Sequence, residues 1–454
     1  MLRRIFPFAL SVLVSLDGAT AMLAQRPAAG AGRPNVVLVI TDDVGYGDFG
    51  SYGAPDVRTP NVDRLARQGV RMTDFYAAPQ CTPTRAALIT GRYQQRVVLE
   101  RALESTGPAL ERGLPATGRS LPQLLRNNGY ATGLVGKWHL GYKPEYGPNA
   151  HGFDYFFGFL AGYIDFYRHT RGMDNTPDLY ENTTPIQRDG YMTDLITERA
   201  LKFIGDHSAR PFFLEVTYNA AHWPFQPPGH PSKAPHDATF QSASDSVPPT
   251  RHDYVAMIER VDVGVGRITR MLDSLGLTSR TLVIFTNDNG GEWLSRNAPL
   301  FHRKDTLWEG GIRVPAIFRW TGHIPPGQTS GQAGITMDLT ATILAATNTP
   351  VPADANLEGM NLLPILERHA PVTERTLFWR IAVPSRQQRA VRQGNWKLLI
   401  DGDDLMLFNL ENDIGERNDL AARRPDMVRK LLPLIHAWEA DVDAEARAKA
   451  NGAR

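Results

Sequence analysis

The run Asn35-Val36-Val37-Leu38-Val39-Ile40 is apolar and β-branched without a break, and it stops at Thr41-Asp42-Asp43. A strand with no polar alternation is buried on both faces, which places it in a parallel sheet covered by helices on either side. The rest of the chain supplies those helices. Thr59-Pro60 predicts a helix with Thr59 as N-cap and Pro60 at its first position, ending at Gly69, and a short strand near 70–75 follows. Helix 119–128 precedes strand 130–136, helix 190–206 precedes strand 211–217, and helix 251–275 precedes strand 280–286. Strand 314–319 and helix 336–347 close the series. This alternation predicts an α/β fold with a large, mostly parallel central sheet sandwiched by helices. Residues 348–358 carry linker chemistry. Beyond them, short strands at 376–381, 389–400 and 405–410 and a helix near 425–449 predict a small C-terminal antiparallel sheet plus helix. The expected division is a main α/β unit at 33–358 and an α+β subdomain at 359–454.

The N-terminus has its own pattern. Arg3 and Arg4 precede an apolar stretch from Ile5 to Leu16, which Asp17 closes, and Ala19-Thr20-Ala21 supplies small residues at cleavage-site spacing. This reads as a signal peptide over residues 1–24, hence a periplasmic or secreted protein with no membrane span after cleavage. Residues 22–34 read as a disordered mature N-terminus. A net charge of +1 argues against a nucleic-acid partner.

In open parallel sheets, ligands sit beyond the carboxyl ends of the strands. Here those ends carry Asp42 and Asp43, then Lys137 and His139, then Asn219 and His222, then Asp288 and Asn289. Asp42, Asp43, Asp288 and Asn289 are hard oxygen donors, suited to Ca²⁺ or Mg²⁺, and the irregular ligand set favours Ca²⁺. The lone cysteine, Cys81, has no internal disulfide partner in an oxidising compartment. Pro83 and Gly91 predict a helix with Cys81 just before it and Arg85 on the face toward the site.

Cys81-x-Pro83-x-Arg85 with Thr90-Gly91-Arg92 resembles the signature of type I sulfatases. Further blocks in the same order extend the resemblance over roughly 33–440: Asn35 to Asp43, Gly136-Lys137-Trp138-His139-Leu140-Gly141, Asn287-Asp288-Asn289-Gly290-Gly291, and Lys304 with Glu309-Gly310-Gly311-Ile312-Arg313-Val314-Pro315. His151-Gly152-Phe153-Asp154-Tyr155-Phe156-Phe157-Gly158 is similar to the arylsulfatase B-like group. The resemblance implies an alkaline-phosphatase-like fold and hydrolysis of carbohydrate or aryl sulfate esters. It implies that a separate maturation enzyme oxidises Cys81 to formylglycine. The hydrate would attack sulfur, form a covalent sulfate-enzyme intermediate and release inorganic sulfate. It also assigns roles: Asp42, Asp43, Asp288 and Asn289 on calcium with Cys81 completing the shell, Arg85 and Lys137 on the hydrate and sulfate oxygens, His139 as base, and His222 and Lys304 toward the leaving group.

Two positions depart from the pattern. Leu160-Ala161-Gly162 offers no serine where some members contact the formylglycine, and Asp305 follows Lys304 where a small residue is common. His151 and His302 are structural or substrate-facing. Tyr163, Phe166, Tyr167, Trp223 and Phe225 either pack in the core or line a sugar-stacking rim. The competing readings are a metal-dependent phosphatase, phosphodiesterase or phosphonate hydrolase of the same superfamily, and a non-catalytic binding protein in which Cys81 stays a thiol.

Overall fold

The computed structural model describes residues 1–2, 32–171, 175–230, 249–383 and 385–452, the last four of these by backbone alone. The basic and apolar regions of the expected signal peptide lie outside the described residues, as does most of the expected disordered tail. In chain order the strands of the main sheet are β1 (Asn35–Thr41), β2 (Val70–Met72), β3 (Ala131–Lys137), β4 (Tyr155–Phe159), β5 (Tyr180–Glu181), β6 (Thr184–Pro185), β7 (Phe212–Thr217), β8 (Thr281–Asn287), β9 (Ala316–Arg319) and β10 (Gln328–Ser330). Laterally they run β10-β2-β9-β8-β1-β7-β3-β4-β5-β6. The five central strands β8, β1, β7, β3 and β4 are parallel, while β9 and β5 add antiparallel edges. This is the large, mostly parallel sheet that the unbroken apolar runs predict.

Alternate residues of β1 enter opposite cores, Val37 and Val39 on one face and Val36, Leu38 and Ile40 on the other. On the first face the sheet is covered by α1 (Pro60–Arg67), α4 (Met192–Asp206) and α5 (Arg251–Ser274). On the second lie α2 (Cys81–Thr90), α3 (Leu121–Asn127) and α6 (Thr336–Ala346). The C-terminal sheet is a meander of β11 (Thr376–Val383), β12 (Arg386–Gln393), β13 (Trp396–Asp401) and β14 (Asp404–Asn409), followed by α7 (Pro425–Gly452). One of its faces meets the main body through Trp379, Leu399 and Phe408, and the other meets α7 through Leu398, Leu431 and Ile435.

Several local expectations need correction. The run 389–400 is two strands, because the Gly394-Asn395 turn folds Trp396 back onto Gln393. The strand expected at 70–75 splits: Phe75–Tyr76 leaves the main sheet and pairs with Gly334–Ile335. Thr59 does not cap α1 with its side chain. Its hydroxyl accepts from Gly50 N at 2.8 Å and donates to Asp63 at 3.2 Å, tying the helix to the preceding loop instead. Cys81 belongs to the first turn of α2, with Gln80 as its N-cap residue.

A buried ionic network joins the C-terminal sheet to the main body. Lys397 of β13 lies 2.9 Å from Glu309 and 2.8 Å from Glu416, all three inaccessible to solvent at their side chains. Tyr76 donates to Glu309 at 2.7 Å, and Arg313 and Arg392 meet over Asp74. Removing the central cation strands two carboxylates in a low-dielectric interior. Lys397→Met is therefore expected to destabilise the protein by about 3–5 kcal/mol in chemical denaturation; a loss below about 1 kcal/mol would put this network on a par with a surface ion pair.

Candidate active site

The sheet register brings the functional side chains to one edge. Thr41 pairs with Asn287, so Asp42 and Asp288 leave adjacent strands at the same level. Thr217 pairs with Ile40 on one side and Gly136 on the other, which sets Lys137 and the 219–222 loop beside them. Asn287 locks the two ligand-bearing turns together. Its side chain accepts from Thr41 Oγ1 at 2.8 Å and donates to Val44 O at 2.7 Å. Gly290 packs against the Glu309-Gly310-Gly311 turn so tightly that an added Cβ would meet Gly310 O at 1.9 Å.

The structure places Asp42, Asp43, Cys81, Arg85, Lys137, His222, Asp288, Asn289 and Lys304 in one cluster, all buried except the half-buried Lys304. Lys137 Nζ lies 2.5 Å from Asp42 Oδ2, and Lys304 Nζ lies 2.7 Å from Asp43 Oδ1. Arg85 Nη2 lies 2.9 Å from Asp288 Oδ2 and its Nη1 donates to Lys137 O at 3.0 Å. Three carboxylates are thus matched one to one by three cations. Cys81 Sγ lies 3.6 Å from Asp42 Oδ1 and 3.4 Å from Lys304 Nζ. Donor atoms of Asp42, Asp43, Cys81 and His222 fall within 4.8 Å of one another.

The electrostatics follow from burial. Asp42 is pushed up to about 7, by burial first and then by Asp288. Burial also works to raise Asp43 and Asp288, but Lys304 holds Asp43 below the usual carboxylate range, and Arg85 and Lys137 do the same for Asp288. Burial disfavours the Lys304 ammonium, yet Asp43 and its neighbours hold it well above the ordinary lysine value. Burial, reinforced by Asp288, pushes the Cys81 thiol up, so it is not a thiolate.

The donor set fits a hard divalent cation. Asn289 Nδ2 donates to Asp43 Oδ1 at 2.7 Å, while Asn289 Oδ1 is buried with no hydrogen-bond partner among the described residues. A buried amide oxygen left bare is costly, and a cation offsets that cost. With the three carboxylates and three cations cancelling, a divalent ion leaves two positive charges in excess, and a sulfate monoester, a monoanion, offsets one of them.

Both histidines are neutral. Burial, with Lys137 next, lowers His139 well below the usual histidine value. Its Nε2 bonds Leu103 O at 2.8 Å, which leaves the buried Nδ1 without a partner among the described residues and available as a proton acceptor. Gly162 lies directly against this ring; an added Cβ would sit 2.6 Å from His139 Cε1, so the missing serine is replaced by a packing surface. His222 is lowered to about 3, by burial against the opposing pull of Asp43 and with Lys304 adding to the lowering. Its Nδ1 bonds Trp223 O at 2.6 Å and its Nε2 faces Asp43 Oδ2 at 3.4 Å.

Of the aromatic residues, Phe166 is core. Half-buried Tyr163 stacks on His222 with centroids 5.8 Å apart and meets Trp223 at 4.1 Å, forming an aromatic wall beside the histidine. Asp305 is tied into the loop by Gln80, which donates to it at 2.6 Å from the residue preceding Cys81. His151 packs on Trp138 and bonds Leu114 O, which makes it structural. Asn287, Gly162 and Asn219, a buried amide with neither atom bonded among the described residues, were not assigned from sequence. Asn287 at least could have been, since it opens the same tetrapeptide as two of the expected ligands.

The sulfatase family model matches residues 34–349. The chain belongs to the sulfatase family. This sulfatase is 34% identical to N-acetylgalactosamine-6-sulfatase of Mus musculus over 87% of its own length and 83% of the relative's. It is 34% identical to arylsulfatase A of Homo sapiens, over 85% and 77% of the two chains. Among solved structures, Ps i-CgsB in complex with k-i-k-neocarrahexaose superposes with a TM-score of 0.81 at 30% identity, covering 89% of this chain and 92% of that one. The protein is accordingly a sulfuric ester hydrolase. Among the described residues, no helix is long and apolar enough to cross a membrane.

Replacing Asn289 by Ala removes the bare amide oxygen, together with the Nδ2 hydrogen bond to Asp43, and leaves all three ion pairs their charged partners. Calorimetric titration with Ca²⁺ is expected to show at least about tenfold weaker binding; unchanged affinity would remove Asn289 from the cation site.

Proposed function

We propose that this sulfatase is an exported carbohydrate sulfatase that binds Ca²⁺ through Asp42, Asp43, Asp288 and Asn289 and carries formylglycine at position 81, made from Cys81 by a separate maturation enzyme. The observation that carries the reading is a lone, uncharged thiol buried in the first turn of α2, within 3.4 Å of Lys304 Nζ and 3.6 Å of Asp42 Oδ1. As a thiol, this group is a poor nucleophile and a poor partner for a hard cation. The formylglycine hydrate supplies a hydroxyl nucleophile next to a polarising cation, with Cys81 Sγ standing in for the hydroxyl oxygens.

The remaining work falls to this chain's own residues. Lys304, already against position 81, binds an ester oxygen, while Arg85 and Lys137 counter the charge of the transferring sulfuryl group. His139 takes a proton at Nδ1, the nitrogen left bare by its bond to Leu103 O. His222 holds its proton on Nδ1 against Trp223 O. Its Nε2 becomes an acid when the negative charge of the bound ester draws a second proton to the ring. The Tyr163–Trp223 wall offers an apolar face to a sugar ring beside that leaving group. The leader read at 1–24 supports export.

Two measurements test this reading. Peptide mass spectrometry of protein from its native host is expected to find an aldehyde or its hydrate at position 81; a thiol throughout would sink the assignment. Paired sulfate and phosphate esters of one phenol are expected to show faster turnover of the sulfate, and the reverse would favour phosphatase chemistry.

His222→Ala is expected to lower kcat by about 10²–10⁴ on a sugar sulfate. The loss should be far smaller on a nitrophenyl sulfate, whose leaving group needs no proton. Equal losses on both substrates would assign His222 a role other than acid.

A further inference from the structure

His139 follows β3 with a left-handed backbone, φ 58°, a conformation that strains any residue with a side chain and persists only where its surroundings hold it. Three hydrogen bonds do the holding. Its N–H donates to Leu160 O at 3.1 Å, its carbonyl accepts from Thr82 Oγ1 at 2.9 Å, and its ring Nε2 meets Leu103 O at 2.8 Å. Two of the three converge on Thr82. Its hydroxyl, fully buried in the first turn of α2, also accepts from Leu103 N at 3.1 Å. The hydroxyl proton thus goes to His139, and a lone pair goes to the residue whose carbonyl holds the His139 ring. The segment that carries Leu103 lies beside the start of α2. Ala102 N donates to Gln80 Oε1 at 2.8 Å, and Leu99 and Leu103 pack into the core under that helix.

We propose that Thr82 is a positioning residue for His139: it clasps the Leu103 segment to the histidine's own carbonyl and so keeps the ring proton on Nε2. A backbone carbonyl can only accept, so the nitrogen that meets Leu103 O carries the proton, and Nδ1 is left bare. Without the Thr82 hydroxyl, Leu103 N loses its acceptor and Leu103 O is no longer pinned against the ring. The ring proton then divides between the two nitrogens, and fewer molecules present a bare Nδ1. Thr82 touches no reacting atom itself. It is the next residue after Cys81, so one helical turn sets both the nucleophile position and the state of the base. The proposal rests on the reading of His139 as base. In that reading Nδ1 takes the proton of the second hydroxyl at position 81 as the C–O bond to sulfate breaks, sulfate leaves with the bond pair, and the aldehyde returns.

The first test reads the ring directly, on the full chain with Cys81 still a thiol, so that it does not depend on maturation. Histidine ¹⁵N chemical shifts report the tautomer, and His139→Gln identifies the resonances by their loss. The wild type is expected to hold the Nε2–H form at neutral pH. Thr82→Val should move the shifts toward the Nδ1–H form, and Thr82→Ser, which keeps the hydroxyl, should restore them. Thr82→Ala gives the same comparison if the valine variant does not fold. Wild-type shifts in the variants lacking the hydroxyl would overturn the proposal. The second test uses matured protein, normalised to its aldehyde content, and follows sulfate-bearing enzyme by quenched flow and intact-protein mass spectrometry. Its decay is expected to slow by about tenfold in Thr82→Val, the equivalent of one hydrogen bond, while its formation changes by less than about twofold. Equal slowing of both steps would reduce Thr82 to a general structural role and overturn the proposal. A displaced tautomer with unchanged decay would leave the clasp standing and remove His139 as the base.

Discussion

Three carboxylates held in a solvent-free pocket by three cations are the constraint around which this sulfatase is built. Isolated, any one of those charges would be too costly to bury. Paired as Asp42 with Lys137, Asp43 with Lys304 and Asp288 with Arg85, they cancel. Each partner comes from a different part of the chain, so the pocket exists only once β1, β3, β8, α2 and the Lys304 loop have docked. The same balance prepares the site for its chemistry. Adding a divalent ion to a neutral pocket creates an excess of positive charge where a sulfate ester must sit.

The supporting structure keeps that balance in place by removing slack. Asn287 ties the turn after β1 to the turn after β8, and Gly290 lets the Glu309-Gly310-Gly311 turn approach to backbone contact. The Lys304 loop is held by backbone bonds to Gly291 and Pro79, and by Arg386 and Gln388 of the C-terminal meander, which bond Asp305 O and Leu307 N. The small sheet thus reaches the active site through hydrogen bonds to this loop, without lending it a ligand.

Much of this was legible in the chain. The unbroken apolar run of β1 foretold burial on both faces, and the polar residues that end β1, β3, β7 and β8 foretold which edge would carry the chemistry. What failed were local boundaries. The run 389–400 reads as one strand because a two-residue turn at Gly394-Asn395 barely interrupts its apolar pattern. Thr59 looks like a cap because the rule is local, whereas its hydroxyl is claimed by Gly50 from the preceding loop. Gly162 looked like the loss of a contact, and its role appears only when the His139 ring is seen lying against it.

The sequence by itself determined the α/β class, the strand ends that bear the functional groups, and the family, because hydrophobic periodicity and motif order are properties of neighbours along the chain. Only the tertiary structure decided the pairing of charges, the bare oxygen of Asn289 and the free Nδ1 of His139. Those depend on which distant side chains share a low-dielectric space, and sheet register and helix docking determine that after the local pattern has been spent.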